Sequence, residues 1–250
     1  MISQNFLRVR FKLLYFVVIQ LSILTLTAAL SMGLAAPCYA VLIFSPGGSQ
    51  GVTSDTVFGG QLVGPDFVVG GVGFNQPGNN WPGAELPESA IDGVGQKYLN
   101  FGEENTGIVV TPANGISVAT SITLYNANDA EERSPRSFEL WGSNAILGAN
   151  SFALSDFTLI ANGPVNLPAG INPGGNSALG SNFETIEFAN EAPYTSYMIL
   201  FPDLNQNQGG FGDANSMQIS EIVLEGNLVP EPSTSLLALF GGLFLFRRRR

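Results

Sequence analysis

Eight short runs of apolar and β-branched residues recur between Lys97 and Gly226, and turn-forming residues separate them. The runs are KYLNF, GIVVT, ISVATSITLY, SFELWGS, DFTLIA, ETIEF, SYMILF and MQISEIVLEG. None keeps a helical period over three turns, and short strands broken in this way are typical of antiparallel sandwiches and jelly rolls. The sequence therefore predicts an all-β fold class, an antiparallel jelly-roll sandwich.

The N-terminal segment has the pattern of an export signal. Arg8, Arg10 and Lys12 precede an apolar run over residues 13–34, which ends in AAPCYA with the small residues Cys38 and Ala40. Small residues at these two positions favour cleavage after Ala40, so residues 1–40 are predicted to form a signal helix that is removed, with an uncleaved anchor as the alternative. The mature chain would then have no thiol, which excludes disulfides and thiolate metal ligands.

The charge of the exported part limits its partners. Residues 41–229 contain three basic residues against 19 carboxylates, a formal net charge of −16. Such a surface repels nucleic acid and anionic lipid and suits cations, neutral sugars or basic partners. The chain has no histidine, which removes Ser-His-Asp and Cys-His catalysis and His-ligated zinc. We expect a protein that is not an enzyme.

The chain ends in a short apolar segment followed by four arginines. Residues 233–246 would span ~21 Å as a helix, less than the ~30 Å of a bilayer core. A short transmembrane helix is nevertheless expected here, because basic side chains at its end can reach the lipid headgroups. These side chains are Arg247, Arg248, Arg249 and Arg250.

The same region resembles the PEP-CTERM sorting signal of Gram-negative bacteria that make exopolysaccharide. The resemblance covers residues 229–250 and consists of the motif VPEPS, the apolar helix and the arginine cluster, in that order. It implies processing by an exosortase and delivery to the cell surface or extracellular matrix. The implied sorting motif is Val229, Pro230, Glu231, Pro232 and Ser233.

Between the two signals we expect Gly/Asn-rich edge strands and loops over residues 41–82 and a jelly roll over residues 83–228. Four stretches within the jelly roll resemble, in order, the galactose-binding-like, discoidin-type family: ESAIDGVGQKYLNFG, NANDAEERSPRSFELWGSN, DFTLIANGPVNLP and SMQISEIVLEG. Leu99 stands where that family usually has a Trp, and the family's long aromatic-tipped loops are not evident.

Glu221 is a candidate metal ligand on the residues alone. In MQISEIVLE, period two places it on one face with Met217, Ile219 and Val223. If that face is the core, the carboxylate needs a cation, hydrogen bonds or a proton. Asp92 in AIDGVG, followed by glycines that let carbonyls turn inward, could share a calcium ion with it. Alternatively, Asp92 caps a turn and Glu221 lies at a wet edge.

The family resemblance implies calcium at the same place. Carried over by position, the ligands are the carboxylates of Asp92 and Glu221 and the backbone oxygens of Ser89, Val94, Lys97 and Ser220. The side chain of Lys97 must then point away from the ion.

Three weaker candidates remain. Asp129 and Arg133 could pair across a helical turn. Trp81, in a Gly/Asn loop, could stack on a sugar, whereas Trp141 is more consistent with a buried ring.

The sequence supports three hypotheses about function. The first is a non-catalytic surface or matrix protein with a calcium-stabilised jelly roll. The second is a carbohydrate-binding module that recognises exopolysaccharide or a surface glycan. The third is a hydrolase that uses carboxylates, which the residues favour least.

Overall fold

A computed structural model describes residues 40–44, 53–73, 78–148, 150–206 and 212–229. The predicted signal helix before Ala40 and the predicted sorting signal after Val229 lie outside these residues. Among the residues that are described, no helix is long and apolar enough to cross a membrane.

The described residues form strands joined by turns and three short 3-10 helices, Pro87–Ile91, Glu131–Arg133 and Leu154–Asp156. The strands are β1 (Val41–Leu42), β2 (Thr56–Val63), β3 (Asp66–Val69), β4 (Gly71–Val72), β5 (Asn80–Trp81), β6 (Tyr98–Asn100), β7 (Thr106–Thr111), β8 (Ser117–Tyr125), β9 (Ser137–Ser143), β10 (Ser151–Ala153), β11 (Thr158–Pro164), β12 (Phe183–Glu187), β13 (Ser196–Phe201), β14 (Met217–Ile219) and β15 (Glu221–Leu228).

Two antiparallel sheets form the sandwich. The larger has seven strands in the order β10-β3-β2-β7-β13-β9-β11, and the smaller has four in the order β1-β15-β8-β12. There are also two small two-stranded sheets, the antiparallel pair β14-β6 and the parallel pair β4-β5. The predicted all-β, antiparallel sandwich is confirmed, and each of the eight predicted runs contains a strand.

The main core lies between the two sheets. Ile122 and Leu124 of β8 and Ile222 of β15 pack from the four-stranded sheet against residues such as Ile108 and Leu140 of the seven-stranded sheet. Half-buried and exposed positions alternate along β12, because one face of this edge strand lies toward the core and the other faces water.

Strand β13 is buried on both faces. Tyr197, Ile199 and Phe201 join the main core, whereas Met198 and Leu200 join a second apolar cluster on the other face with Phe67 and Phe152. A central strand covered on both sides has no polar face, which explains the uninterrupted apolar run SYMILF.

The segment 41–82 is part of the sandwich. The sequence predicts edge strands and loops here, and β1 is an edge strand, but β2 lies inside the large sheet between β3 and β7. The glycines Gly59 and Gly60 in β2 weaken its strand signal in the sequence.

Candidate metal site and neighbouring cleft

Asp92 is fully buried at the end of the 3-10 helix Pro87–Ile91. Its Oδ1 accepts a hydrogen bond from the backbone N–H of Val94 at 2.9 Å. Gly93 between them has φ +78°, a left-handed conformation that glycine adopts without strain. The DG pair therefore makes a tight turn that holds the carboxylate of Asp92 inward.

Glu221 lies against this turn. The backbone N–H of Gly93 donates to Glu221 Oε2 at 3.0 Å, and only 3% of Glu221 is exposed. The turn that carries Asp92 and the first residue of β15 therefore lie in contact.

The strand alternation does not explain this burial. The sequence pattern puts Met217, Ile219 and Glu221 on one face of a single strand, which would bury Glu221 only if that face is the core, but the strand breaks at Ser220 between β14 and β15. Beyond the break, Ile222 and Leu224 face the core, so alternation puts Glu221 on the other face. The carboxylate is buried by the turn at Asp92 and not by the core.

The surroundings of Glu221 disfavour a negative charge. Burial, and then the charge of Asp92, raise the pKa of Glu221 to about 9, although hydrogen bonds from the backbone of Gly93 and Asp92 oppose the shift. At neutral pH this carboxyl group either keeps a proton or has a cation beside it.

The other predicted ligands lie on the same two segments. Ser89 is buried in the 3-10 helix, and Ser220 is buried at the break before Glu221. Within the described part of the chain, the Oγ of Ser220 has no hydrogen-bond partner. Ser220 directly precedes Glu221, and a buried hydroxyl without a partner is the kind of oxygen that calcium takes as a ligand.

Lys97 does not neutralise these carboxylates. Its Nζ lies 2.8 Å from both carboxylate oxygens of Asp129 and 3.0 Å from Oε1 of Gln218, with Glu85 at 3.7 Å. This arrangement is consistent with the prediction that the side chain of Lys97 points away from the proposed calcium ion. The suggested Asp129–Arg133 pair is replaced by Asp129–Lys97.

The described residues contain no group of three or more His, Cys, Asp or Glu side chains that could hold a metal ion. An ion between Asp92 and Glu221 would therefore need backbone, hydroxyl or water oxygens to complete its shell, as calcium sites with few carboxylates do.

A cleft of about 460 Å³ opens beside this turn. Its walls carry the uncharged polar side chains of Ser89, Gln96 and Asn176, with Leu86 and the small residues Gly83, Ala84 and Gly175. The backbone N–H of Gly95 donates to the carbonyl of Ser177 at 2.8 Å and joins the two walls. No charged residue is among those that line this cleft.

Neither tryptophan lines the cleft. Trp81 is 6% exposed and packs edge-on against Tyr98 with ring centroids 5.8 Å apart, so its suggested role as an exposed sugar platform is not supported. Trp141 is half-buried, and its Nε1 donates to Glu139 at 2.9 Å.

Sequence reasoning missed the cleft and an amide network near it. Asn172 Nδ2 donates to the carbonyls of Asn126 and Asn182 at 2.9 Å, and this network holds the loop that provides Gly175 and Asn176. The abundance of Asn between the strands could have indicated this network, because Asn side chains commonly hydrogen-bond to the backbone of loops.

No protein-family model matches the sequence, and no curated protein matches it. The fold is similar to several solved carbohydrate-binding modules. One is the family 32 module of NanJ from Clostridium perfringens in complex with galactose, with 13% identity, TM-score 0.43, and coverage of 75% of this chain and 99% of that module. Another is CBM32-3 from a family 31 glycoside hydrolase of the same organism, with 13% identity, TM-score 0.43, and coverage of 59% and 86%.

A third similar structure is chitosan-binding module 1 from a chitosanase/glucanase of Paenibacillus sp. IK-5, with 10% identity, TM-score 0.41, and coverage of 72% and 99%. Identities this low transfer no ligand from these modules to this chain.

Proposed function

We propose that this chain is an exported, non-catalytic carbohydrate-binding domain whose loop end is stabilised by calcium. The observation that carries the proposal is the cleft beside Asp92, whose polar side chains are uncharged in a domain of net charge −16.

The cleft suits a neutral sugar. The Ser89 hydroxyl and the Gln96 and Asn176 amides offer both donors and acceptors, which is what sugar hydroxyl groups require. Its volume of about 460 Å³ is within the usual range for small-molecule sites. A charged ligand would find no counter-charge on these walls.

The same residues favour binding over catalysis. Acid–base cleavage of a glycosidic bond requires two carboxyl groups on either side of the bond, and none lines this cleft. The proposal is therefore recognition of a glycan without turnover.

Calcium would bind at Asp92 and Glu221, with Ser89, Val94, Lys97 and Ser220 as backbone ligands. The cleft residue Ser89 precedes Asp92, and Gln96 follows it. An ion that holds the turn would therefore also hold one wall of the cleft.

A matrix protein without a glycan ligand is the second candidate. It is favoured by the absence of aromatic rings among the residues that line the cleft and by the burial of Trp81, because sugar sites commonly use an aromatic platform.

Export and surface delivery rest on the terminal signals. The signal over residues 1–40 and the sorting motif before Arg247–Arg250 support secretion and exosortase processing at the cell surface. An exopolysaccharide is then the glycan most accessible to the processed domain.

A glycan array probed with the exported protein tests this proposal. We expect retention of neutral glycans, at least tenfold weaker binding for Gln96→Ala or Asn176→Ala, and unchanged binding for Asn162→Ala, which removes an exposed amide on β11. No retention of any glycan by the folded protein would favour the matrix candidate.

A further inference from the structure

The four-stranded sheet presents a second polar surface on the side away from the core. Cross-strand pairing places Phe183 beside Tyr125, Thr185 beside Thr123, and Glu187 beside Ser121, while Glu225 of β15 also pairs with Ser121. We call this surface the outer face and define it by Phe183, Tyr125, Thr185, Thr123, Glu187 and Glu225.

Two aromatic rings lie together at one end of the outer face. The rings of Phe183 and Tyr125 have centroids 4.9 Å apart at an interplanar angle of 35°, and Phe183 is 42% exposed. Tyr125 is half-buried, so Phe183 provides the accessible ring, which can contact the apolar face of a sugar ring and attract cations to its π-surface.

The outer face is acidic. Strands β8, β12 and β15 contain no Lys or Arg, whereas Glu187 is exposed and Glu225 is half-buried. Cross-strand pairing places Glu221 directly beside Tyr125, and burial, followed by the charges of Glu221 and Glu225, raises the pKa of Tyr125. The face therefore favours a ligand with positive charge.

Hydroxyl groups lie between the rings and the carboxylates. The Oγ1 atoms of Thr123 and Thr185 are 2.8 Å apart, and Ser121 Oγ donates to Glu225 Oε2 at 3.4 Å. These short side chains leave the middle of the face flat and able to hydrogen-bond.

The size of the face decides between classes of partner. The five residues of β12 extend about 17 Å, and three strands are about 14 Å wide, which gives roughly 240 Å². A stable protein–protein interface needs about 800 Å² per partner and an apolar centre. A linear polymer that lies across the face fits better than a folded protein.

We propose that the outer face binds a polysaccharide whose units carry free ammonium groups, such as linked glucosamine. A sugar ring lies on the Phe183–Tyr125 pair, ammonium groups approach Glu187 and Glu225, and sugar hydroxyls contact the Thr and Ser hydroxyls. This surface consists of residues other than those of the loop cleft, and its ligand is cationic where the cleft suits a neutral one.

The test compares two oligosaccharides that differ in one group. The full chain is titrated at low salt with a glucosamine tetramer and, separately, with its N-acetylated counterpart, and calorimetry measures both affinities. The glucosamine tetramer should bind at least tenfold more tightly than the N-acetylated tetramer. Equal affinities would overturn the proposal, because acetylation removes the positive charge and leaves the ring unchanged.

Variants locate the site. The double variant Glu187→Gln/Glu225→Gln should weaken glucosamine-tetramer binding at least tenfold and Phe183→Ala about fivefold, whereas Glu191→Gln, on an exposed loop, should not change it. Thermal melting confirms that each variant is folded. Unchanged affinity in the double variant would exclude the outer face.

Two further arms separate the alternatives. Gln96→Ala, in the loop cleft, should leave glucosamine-tetramer binding intact; if it abolishes binding, the ligand occupies the cleft and the outer face is not a site. A tetralysine peptide should bind at least tenfold more weakly than the tetramer. If it binds equally well, the surface selects charge alone, and the assignment to a polysaccharide is wrong.

Discussion

Glu221 accepts a hydrogen bond from the backbone of Gly93 at 3.0 Å, across 128 positions of sequence. This contact closes the last strand of the four-stranded sheet against the turn that carries Asp92. Two buried carboxyl groups, at 0% and 3% exposure, are thereby brought to the same place beside the cleft.

The stability of the ion-free domain should fall as pH rises. The pKa of Glu221 is about 9 in the folded state and starts from 4.5, so between these values the folded state holds a proton that the unfolded state has released. The free energy of unfolding should then decrease by up to about 1.4 kcal/mol per pH unit between pH 5 and 9. Thermal melting in chelator at several pH values measures this slope.

Glu221→Gln is the matched variant for the pH experiment, because the amide keeps the shape and cannot titrate. Its melting temperature in chelator should be much less dependent on pH over the same window. A slope equal to that of the wild type would mean that another group is responsible.

The Lys97–Asp129 ion pair should contribute to stability. Asp129→Asn removes the nearest carboxylate from the buried ammonium of Lys97, leaves only the longer contact to Glu85 at 3.7 Å, and should cost about 1–3 kcal/mol of unfolding free energy. The double variant Lys97→Met/Asp129→Asn should recover part of this loss, since the buried ammonium is gone. Denaturant unfolding provides the measurement.

Asp203→Asn is the control for that pair. It removes an ion pair with Arg136 at 3.8 Å in which both side chains are nearly half exposed, and it should cost less than about 1 kcal/mol. Equal losses in Asp129→Asn and Asp203→Asn would show that the burial of Lys97 has no energetic consequence.

Gly59 should not tolerate a side chain. A Cβ there would lie 2.5 Å from Cγ of Pro87 and 2.7 Å from the hydroxyl of Tyr98, so Gly59→Ala should destabilise the domain by about 1–3 kcal/mol. At Gly71 a Cβ meets nothing within 4 Å, and Gly71→Ala should change stability by less than about 0.5 kcal/mol. Comparable losses in both variants would contradict the close packing of Pro87 and Tyr98 against Gly59.

The proposed sorting signal leads to a prediction about the end of the mature chain. Intact-mass measurement of protein extracted from the cell surface should show a C-terminus near Pro230–Pro232. Replacing Arg247–Arg250 with Gly should weaken membrane retention before processing. Mature exported protein that still ends in Arg250 would show that exosortase does not process it.

Local patterns predicted much of the fold. Each of the eight runs predicted from Lys97 onwards contains a strand, because β-branched and apolar residues pack well on a pleated, half-buried surface. Strand β2 was assigned to loops and edges, since Gly59 and Gly60 weaken its pattern. The reason for those glycines is tertiary, because a Cβ at Gly59 would meet Pro87 and Tyr98 and a Cβ at Gly60 would meet Phe67 and Val68.

The candidate site was predictable in part. Asp92 and Glu221 could be chosen from their types and contexts, but the break at Ser220 that changes the facing of the strand has no local signal. The ion pair of Lys97 with Asp129 could not be predicted from the sequence either, because the two residues are 32 positions apart and only the tertiary fold brings them into contact. The cleft depends on two loops far apart in sequence.

Thermal melting with and without calcium tests the central claim most directly. An ion that binds only the folded state at a hundredfold excess over its Kd stabilises by ~2.7 kcal/mol, or roughly 5–10 °C for a domain of this size. Chelator should lower the midpoint of the wild type by that amount, calcium should restore it where magnesium does not, and Glu221→Gln should abolish most of the response. The same midpoint in chelator and in millimolar calcium would contradict the account, and Glu221 would then be a protonated acid.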